Sequence, residues 1–148
     1  MGKKVRIPLE ICSLADEGHH FFVNASVNGQ SARLLVDTGA SRSVFSHSWL
    51  KERFPELTIE ESQGVATGAG TSQLPAGIAW LQQFHLGDLS FTDFPVAVLE
   101  MQHVNDAYRQ AGLPPIDGVL GCDLLVQLQA VINVRRKTLR LRKPRKRS

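Results

Sequence analysis

The stretch Leu34-Leu35-Val36-Asp37-Thr38-Gly39-Ala40-Ser41 sets three apolar side chains, suited to a buried strand, directly before an acid and a turn of small residues. A carboxylate at the end of an apolar strand is costly, because removal from water disfavours its charged form. Thr38, Gly39 and Ser41 supply what such an acid needs: close backbone N–H groups, a tight turn and hydroxyls within reach. A carboxylate held in this way is placed to take or give a proton. Taken alone, Asp-Thr-Gly is an ordinary turn after a strand, so its weight depends on the elements around it.

Those elements read mainly as strands. Val5, Ile7, Leu9 and Ile11 alternate with more polar neighbours, which predicts a half-buried strand from Val5 to Leu14, with Pro8 at an edge or bulge. His19 to Val27 is a second strand, and Asn28-Gly29 is a hairpin turn signal. Ser31 to Val36 returns and delivers Asp37, so the acid is fixed by strand pairing. A short helix is expected from His47 to Phe54, capped by Ser46 and stopped by Pro55, with Trp49, Leu50 and Phe54 on one face.

Thr58 to Gln63 leads into a glycine-rich stretch at 64–72. No Lys follows its last glycine and no helical pattern opens after it, so a phosphate-cradling loop is disfavoured against a β-hairpin tip. Leu74 to Phe84 resumes strand composition, His85 to Asp88 turns the chain, and Leu89, Phe91 and Phe94 begin another strand pair. Phe94 to Leu99 is an apolar run suited to a buried strand, and Asn105 to Leu113 allows one or two helical turns before Pro114-Pro115. Then Ile116-Asp117-Gly118-Val119-Leu120-Gly121 runs into Cys122-Asp123-Leu124-Leu125, a strand followed by a short helix to about Gln129, and 130–141 closes as a strand or hairpin. Many short strands, tight turns and little helix make the fold class all-β.

The run from Leu34 to Ser41 resembles the active-site motif of aspartic proteases, and the chain length points to their retropepsin-like branch. Val119-Leu120-Gly121 followed by a variable pair and Leu124-Leu125 is similar to that family's second signature, in which a glycine crosses behind the catalytic loop and a helix follows. The likeness runs from about Phe21 to Leu141. It implies a closed retropepsin-like barrel with one or two short helices, occupying residues 1–142, with a basic, disordered tail at 143–148. It also implies an endopeptidase in which two carboxylates share a proton around a water. The chain has one Asp-Thr-Gly, and Asp117 and Asp123 read as structural. Asp37 from each chain of a homodimer therefore forms the pair. On the family pattern Thr38 interlocks the two loops, Gly39 allows close backbone approach and Ser41 hydrogen-bonds the carboxylate. Residues 64–72, centred on Gly68, Ala69 and Gly70, form the flap over a peptide or protein substrate. The characteristic flap sequence of viral members is not reproduced, and Cys122 stands where they carry Arg. The chain thus looks more like the small cellular and bacterial members. The alternative use of the same fold is a non-catalytic peptide-binding or dimerisation module.

Other chemistries find less support. His19, His20, His47, His85 and His103 share no ligand spacing with an acid or cysteine, so no metal is expected, nor any other cofactor. No Gly-x-Ser-x-Gly occurs, and Cys122 sits in an apolar setting that favours packing over nucleophilic work. Cys12 and Cys122 read as free thiols of a reducing compartment. With no apolar run long enough to span a bilayer and no export signal, the expected place is the cytoplasm. The net charge of +3 conceals two parts. Residues 1–134 carry 8 Lys/Arg against 14 Asp/Glu, a balance of −6, while 135–148 carry 9 Lys/Arg and no acid, a balance of +9. The basic end could take a nucleic acid, an anionic membrane surface or an acidic partner, but it reads more simply as a solvated strand and a disordered end, and the absence of interleaved aromatics argues against base stacking.

Overall fold

The computed structural model describes residues 2–13, 18–62 and 76–144. Among them are eleven strands and three short helices, where one or two helices were expected. The predicted first strand is broken at Leu9 into β1 (Lys3–Pro8) and β2 (Glu10–Ser13), which join different sheets. Pro8 ends β1, consistent with its missing N–H. Next come β3 (His19–Val27) and β4 (Gln30–Val36). Asn28 and Gly29 both have positive φ, 46° and 84°, the conformation a two-residue hairpin turn requires.

β5 (Val44–Ser46) leads into α1 (His47–Arg53), whose Trp49 N–H donates to the Ser46 hydroxyl at 3.2 Å, as a Ser cap does. β6 (Ile59–Ser62) pairs with β7 (Ala76–Leu86), which pairs along its length with β8 (Leu89–Leu99). Leu89 to Leu99 is one long strand rather than two pieces; Pro95 is accommodated opposite Trp80. α2 (Gln102–Gln110), β9 (Gly118–Leu120), α3 (Cys122–Gln127), β10 (Val131–Asn133) and β11 (Thr138–Lys143) complete the order. No helix among the described residues is long and apolar enough to cross a membrane.

Two sheets form. The larger runs β2-β3-β4-β9-β5-β8-β7-β6, and a further pairing of β3 with β7 closes six of its strands into a barrel. That closure is brief, Ser26 with His85 and Val27 with Phe84. The β3–β4 turn reinforces it: Asn28 N–H donates to Gln83 O at 2.8 Å, and Gln83 N–H donates to Asn28 Oδ1 at 2.9 Å. The smaller sheet, β1-β11-β10, joins the first and last described strands.

The main core fills the barrel and the space under the small sheet, with Ile7, Val27, Leu81, Leu139 and Leu141 nearly fully buried. Phe84 is its hub, meeting Phe45 edge-on at 5.8 Å and Phe94 in a stack at 5.3 Å. A second cluster, Phe22, Met101, Tyr108, Ile116 and Val119, fixes α2 against the outside of the barrel. Asn105 completes that attachment by donating to Ile116 O at 3.0 Å and accepting from Ile116 N–H at 2.8 Å. Truncating the fully buried Phe84 in Phe84→Ala removes these two ring contacts and a third with Phe91, and leaves a cavity. Urea unfolding is expected to show a loss of about 3–5 kcal/mol.

Candidate active site

β4 ends at Val36 and places Asp37 at the mouth of a crossing. β4 and β5 follow one another in sequence, yet β9 lies between them, parallel to β4 and antiparallel to β5. Asp37 N–H donates to Leu120 O at 3.0 Å, so the residue is still tied to β9 although the strand has ended. The turn then folds back on the acid: Gly39 N–H donates to Asp37 Oδ1 at 2.8 Å, and Ala40 N–H donates to Asp37 O at 3.1 Å. Among the described residues the hydrogen bond to the carboxylate thus comes from Gly39 and not from Ser41, whose side chain is exposed. Asp37 is half-buried, while Thr38 and Gly39 are exposed. Gly68, Ala69 and Gly70 lie outside the described residues.

Two glycines make the crossing possible. A Cβ on Gly118 would stand 2.5 Å from Val44 O, and one on Gly121 would stand 2.7 Å from Arg42 C and O and 2.9 Å from Ala40 O. Both contacts are with backbone, which cannot rotate away. The start of α3 then clasps the loop. Cys122 N–H donates to Ala40 O at 2.8 Å, and its thiol donates to Thr38 O at 2.9 Å. Asp123 Oδ1 accepts from Ser43 Oγ at 2.7 Å, Ser43 N–H at 2.9 Å and Leu124 N–H at 2.7 Å. Ser43 Oγ in turn accepts from Gly121 N–H at 2.8 Å. Ser43, buried and central to this clasp, was missed from sequence; its only signal is a hydroxyl among the small residues between the acid and β5.

The other acids are committed elsewhere. Asp117 precedes β9 at the far end of β4, beside Arg33, about 13 Å along the strand from Asp37 at roughly 3.3 Å per residue. Its Oδ2 accepts from Arg33 N–H at 2.8 Å, and its own N–H and C=O bond Arg33 O and Ser46 N–H. Burial pushes the Asp117 carboxyl up, opposed by the Arg33 N–H and by the charges of Arg53 and Arg33.

A cleft of about 300 Å³ opens beside Asp37, lined by His19, His20, Leu35, Thr38 and Ile132 among others. The β3–β4 register pairs Phe21 with Val36, so its next step sets His20 alongside Asp37. His20 Nδ1 lies 2.8 Å from the hydroxyl of Tyr108, which is buried and whose ionisation burial pushes upward. Counting outward from Asn28-Gly29 places His20 there from sequence alone. A larger groove of about 710 Å³, lined by Phe54 and Trp80 at the end of α1, contains no residue of the Asp37 turn.

A small six-stranded barrel with an acidic turn braced against a crossing strand and a following helix is the retropepsin-like architecture. The family model described as aspartyl protease matches residues 23–124, and the chain belongs to that family. It is 26% identical over 119 residues to DDI1 homolog 2 of Homo sapiens, and 28% identical over 121 residues to the UBA domain-containing protein Mud1 of Schizosaccharomyces pombe. These alignments take in 80% and 81% of the chain but only 26% and 32% of those proteins, so the chain spans about a quarter to a third of the relatives it matches. Among solved structures, a retropepsin-like aspartic protease from Rickettsia conorii superposes with a TM-score of 0.56 at 20% identity, over 97% of this chain and 92% of that one. The retroviral protease-like domain of Ddi1 from Leishmania major gives 0.54 at 20% identity, over 80% and 84%. EIAV protease in complex with an inhibitor gives 0.52 at 17% identity, over 76% and 91%.

Two substitutions test this anatomy. Gly121→Ala forces its Cβ into the backbone of Arg42 and is expected to cost about 1–3 kcal/mol in denaturant unfolding. Asp117 holds its proton more tightly in the fold than in the unfolded chain. Its contribution to stability therefore falls as pH rises from just above the usual 3.8 through the raised folded value. Asp117→Asn keeps an acceptor for Arg33 N–H and removes this loss. Thermal melts should show the variant gaining on wild type as pH rises through that window, and converging with it below pH 3.8.

Proposed function

We propose that this protein is an aspartic endopeptidase of retropepsin type, in which Asp37 from each of two identical chains forms the catalytic pair. The observation that carries the reading is Asp37 itself. It is the half-buried acid of the family's motif, held by the turn at a barrel mouth and beside a cleft. The remaining acids of the two motif regions, Asp117 and Asp123, are engaged in holding β4, β5, β9 and α3 together. One chain thus offers one such carboxylate, and a two-fold axis supplies the second by bringing identical turns together. Exposure of Thr38 and Gly39 suits a contact between two such turns.

In the pair, one carboxylate is ionised and takes a proton from water as the water attacks the scissile carbonyl. The other is protonated and donates to the carbonyl oxygen. Two such acids in contact cannot readily ionise together, so they titrate as a unit. Residues 63–75 connect β6 to β7, whose Ser62 and Ala76 are paired, and we assign the cover over the substrate to the glycine-rich part of this connection. The substrate is an extended peptide or protein segment, bound through its backbone. Support also comes from the Rickettsia conorii neighbour, named a retropepsin-like aspartic protease, and from the EIAV protease, which was solved with an inhibitor.

The test is hydrolysis of a diverse peptide pool across acid to neutral pH, at concentrations that sustain a dimer. Wild type is expected to cleave with a bell-shaped pH profile. Asp37→Asn should lower the rate by at least about a hundredfold while leaving the dimer intact. A dimer that binds peptides but shows no Asp37-dependent cleavage would identify a non-catalytic peptide-binding module instead.

A further inference from the structure

The outer face of the β1-β11-β10 sheet is built from like charges. Antiparallel register sets Lys4 opposite Arg142 and Arg6 opposite Arg140. The alternate residues Val5, Ile7, Leu139 and Leu141 point into the core, so these cations share the other face. Arg136, in the turn after β10, adds a fifth; its N–H donates to Asn133 Oδ1 at 2.9 Å. Arg6, Arg136 and Arg140 line a groove of about 580 Å³ together with Val131, Asn133 and Thr138.

Like charges directly opposite one another across a strand pair are destabilising. The sheet itself supplies no relief, since no Asp or Glu occurs in β1, in β10, in β11 or anywhere from Leu124 to Pro144. The ion pairs among the described residues, Arg33 with Glu10 and Arg109 with Asp106, involve none of these cations. The fold thus holds a cationic array in place, in rigid strands and not only in the terminal segment.

We propose that this face binds the phosphate backbone of a nucleic-acid duplex, without reading its sequence. Charge density selects this occupant. Four cations on two adjacent strands lie within a patch about 5 Å wide and 7 Å long, and a duplex presents one charge per about 1.7 Å of its axis. An extended acidic peptide carries at most one charge per about 3.3 Å of its length, half the density of the duplex. Four of the five cations are arginines, whose forks match phosphate oxygens, while Asn133 and Thr138 add neutral hydrogen-bonding groups. The groove has no aromatic side chain on which to stack unpaired bases, and its apolar content is Val131 alone, too little to anchor in a bilayer. The groove shares no lining residue with the Asp37 cleft, which β10 reaches from its other side through Ile132.

The experiment is fluorescence anisotropy of a short mixed-sequence duplex DNA, titrated with the full chain between about 50 and 200 mM salt. Neutralisation of four or five phosphates predicts a slope of log K against log salt of about −4, and little change when the sequence is scrambled. Arg6→Gln/Arg140→Gln should weaken binding at least tenfold at the lowest salt and flatten the slope by about 2. Lys4→Gln/Arg142→Gln should do the same, and reads the same face if the first pair fails to fold. Both variants should melt at or above the wild-type temperature, because each removes cross-strand repulsion. Wild-type affinity in both folded pairs would overturn the proposal. So would complete loss of binding when only residues 145–148 are removed. Tighter face-dependent binding to phosphatidylserine vesicles or polyglutamate than to the duplex would overturn it as well, assigning the face to a membrane or an acidic protein.

Discussion

The passage of β9 between β4 and β5 is the constraint on which the rest of the molecule depends. It brings three backbone segments closer than side chains permit, and Gly118 and Gly121 are the positions where that closeness is met. Once β9 is threaded, its carbonyl at Leu120 holds Asp37 N–H, and the start of α3 reaches back to the turn through Cys122 and Asp123. The turn therefore has little freedom of its own. Its geometry is set by a strand that arrives from some eighty residues later in the chain, so the acid is positioned only when the domain has closed.

The division of labour among the three acids follows from the same arrangement. Asp123 spends its Oδ1 on three donors, and Asp117 spends its Oδ2 on the backbone of Arg33. Both are joints. Asp37 accepts one described hydrogen bond and leaves the rest of its carboxylate toward the cleft. An acid with spare lone pairs at a solvent-reachable site differs in kind from acids whose lone pairs close a fold.

Much of this was legible in the sequence because it is local. Asn28-Gly29 dictated its hairpin, Ser46 its helix cap, and the apolar triplet before Asp37 its strand. The crossing at Gly121 was expected only through the resemblance of Val119-Leu120-Gly121 to the family's second signature, since a glycine between a strand and a helix is by itself an ordinary junction. What could not be read was pairing between distant segments. Parallel pairing of β4 with β9 and of β5 with β8 leaves no mark on either strand's own alternation. Val5 to Leu14 kept its period of two straight through Leu9, so nothing local showed that β1 and β2 belong to different sheets. Leu89, Phe91 and Phe94 alternate while Phe94 to Leu99 is an apolar run, so the stretch reads as two pieces, whereas long pairing with β7 makes it one strand. Ser43 and His20 fall between these cases. His20 follows from hairpin arithmetic, but Ser43 acquires its role only through Gly121 and Asp123.

The pairing of Lys3 with Lys143 has an architectural consequence. The first and last described strands finish side by side, about 5 Å apart at that pair. A body whose two ends emerge at one point can hang from a longer polypeptide like a bead on a loop, because the flanking chain need not span it. Motion of the bead then leaves its host unstretched, and tension on the host peels β1 from β11 before it reaches the barrel. Relatives three to four times the length of the aligned region have room for that kind of suspension.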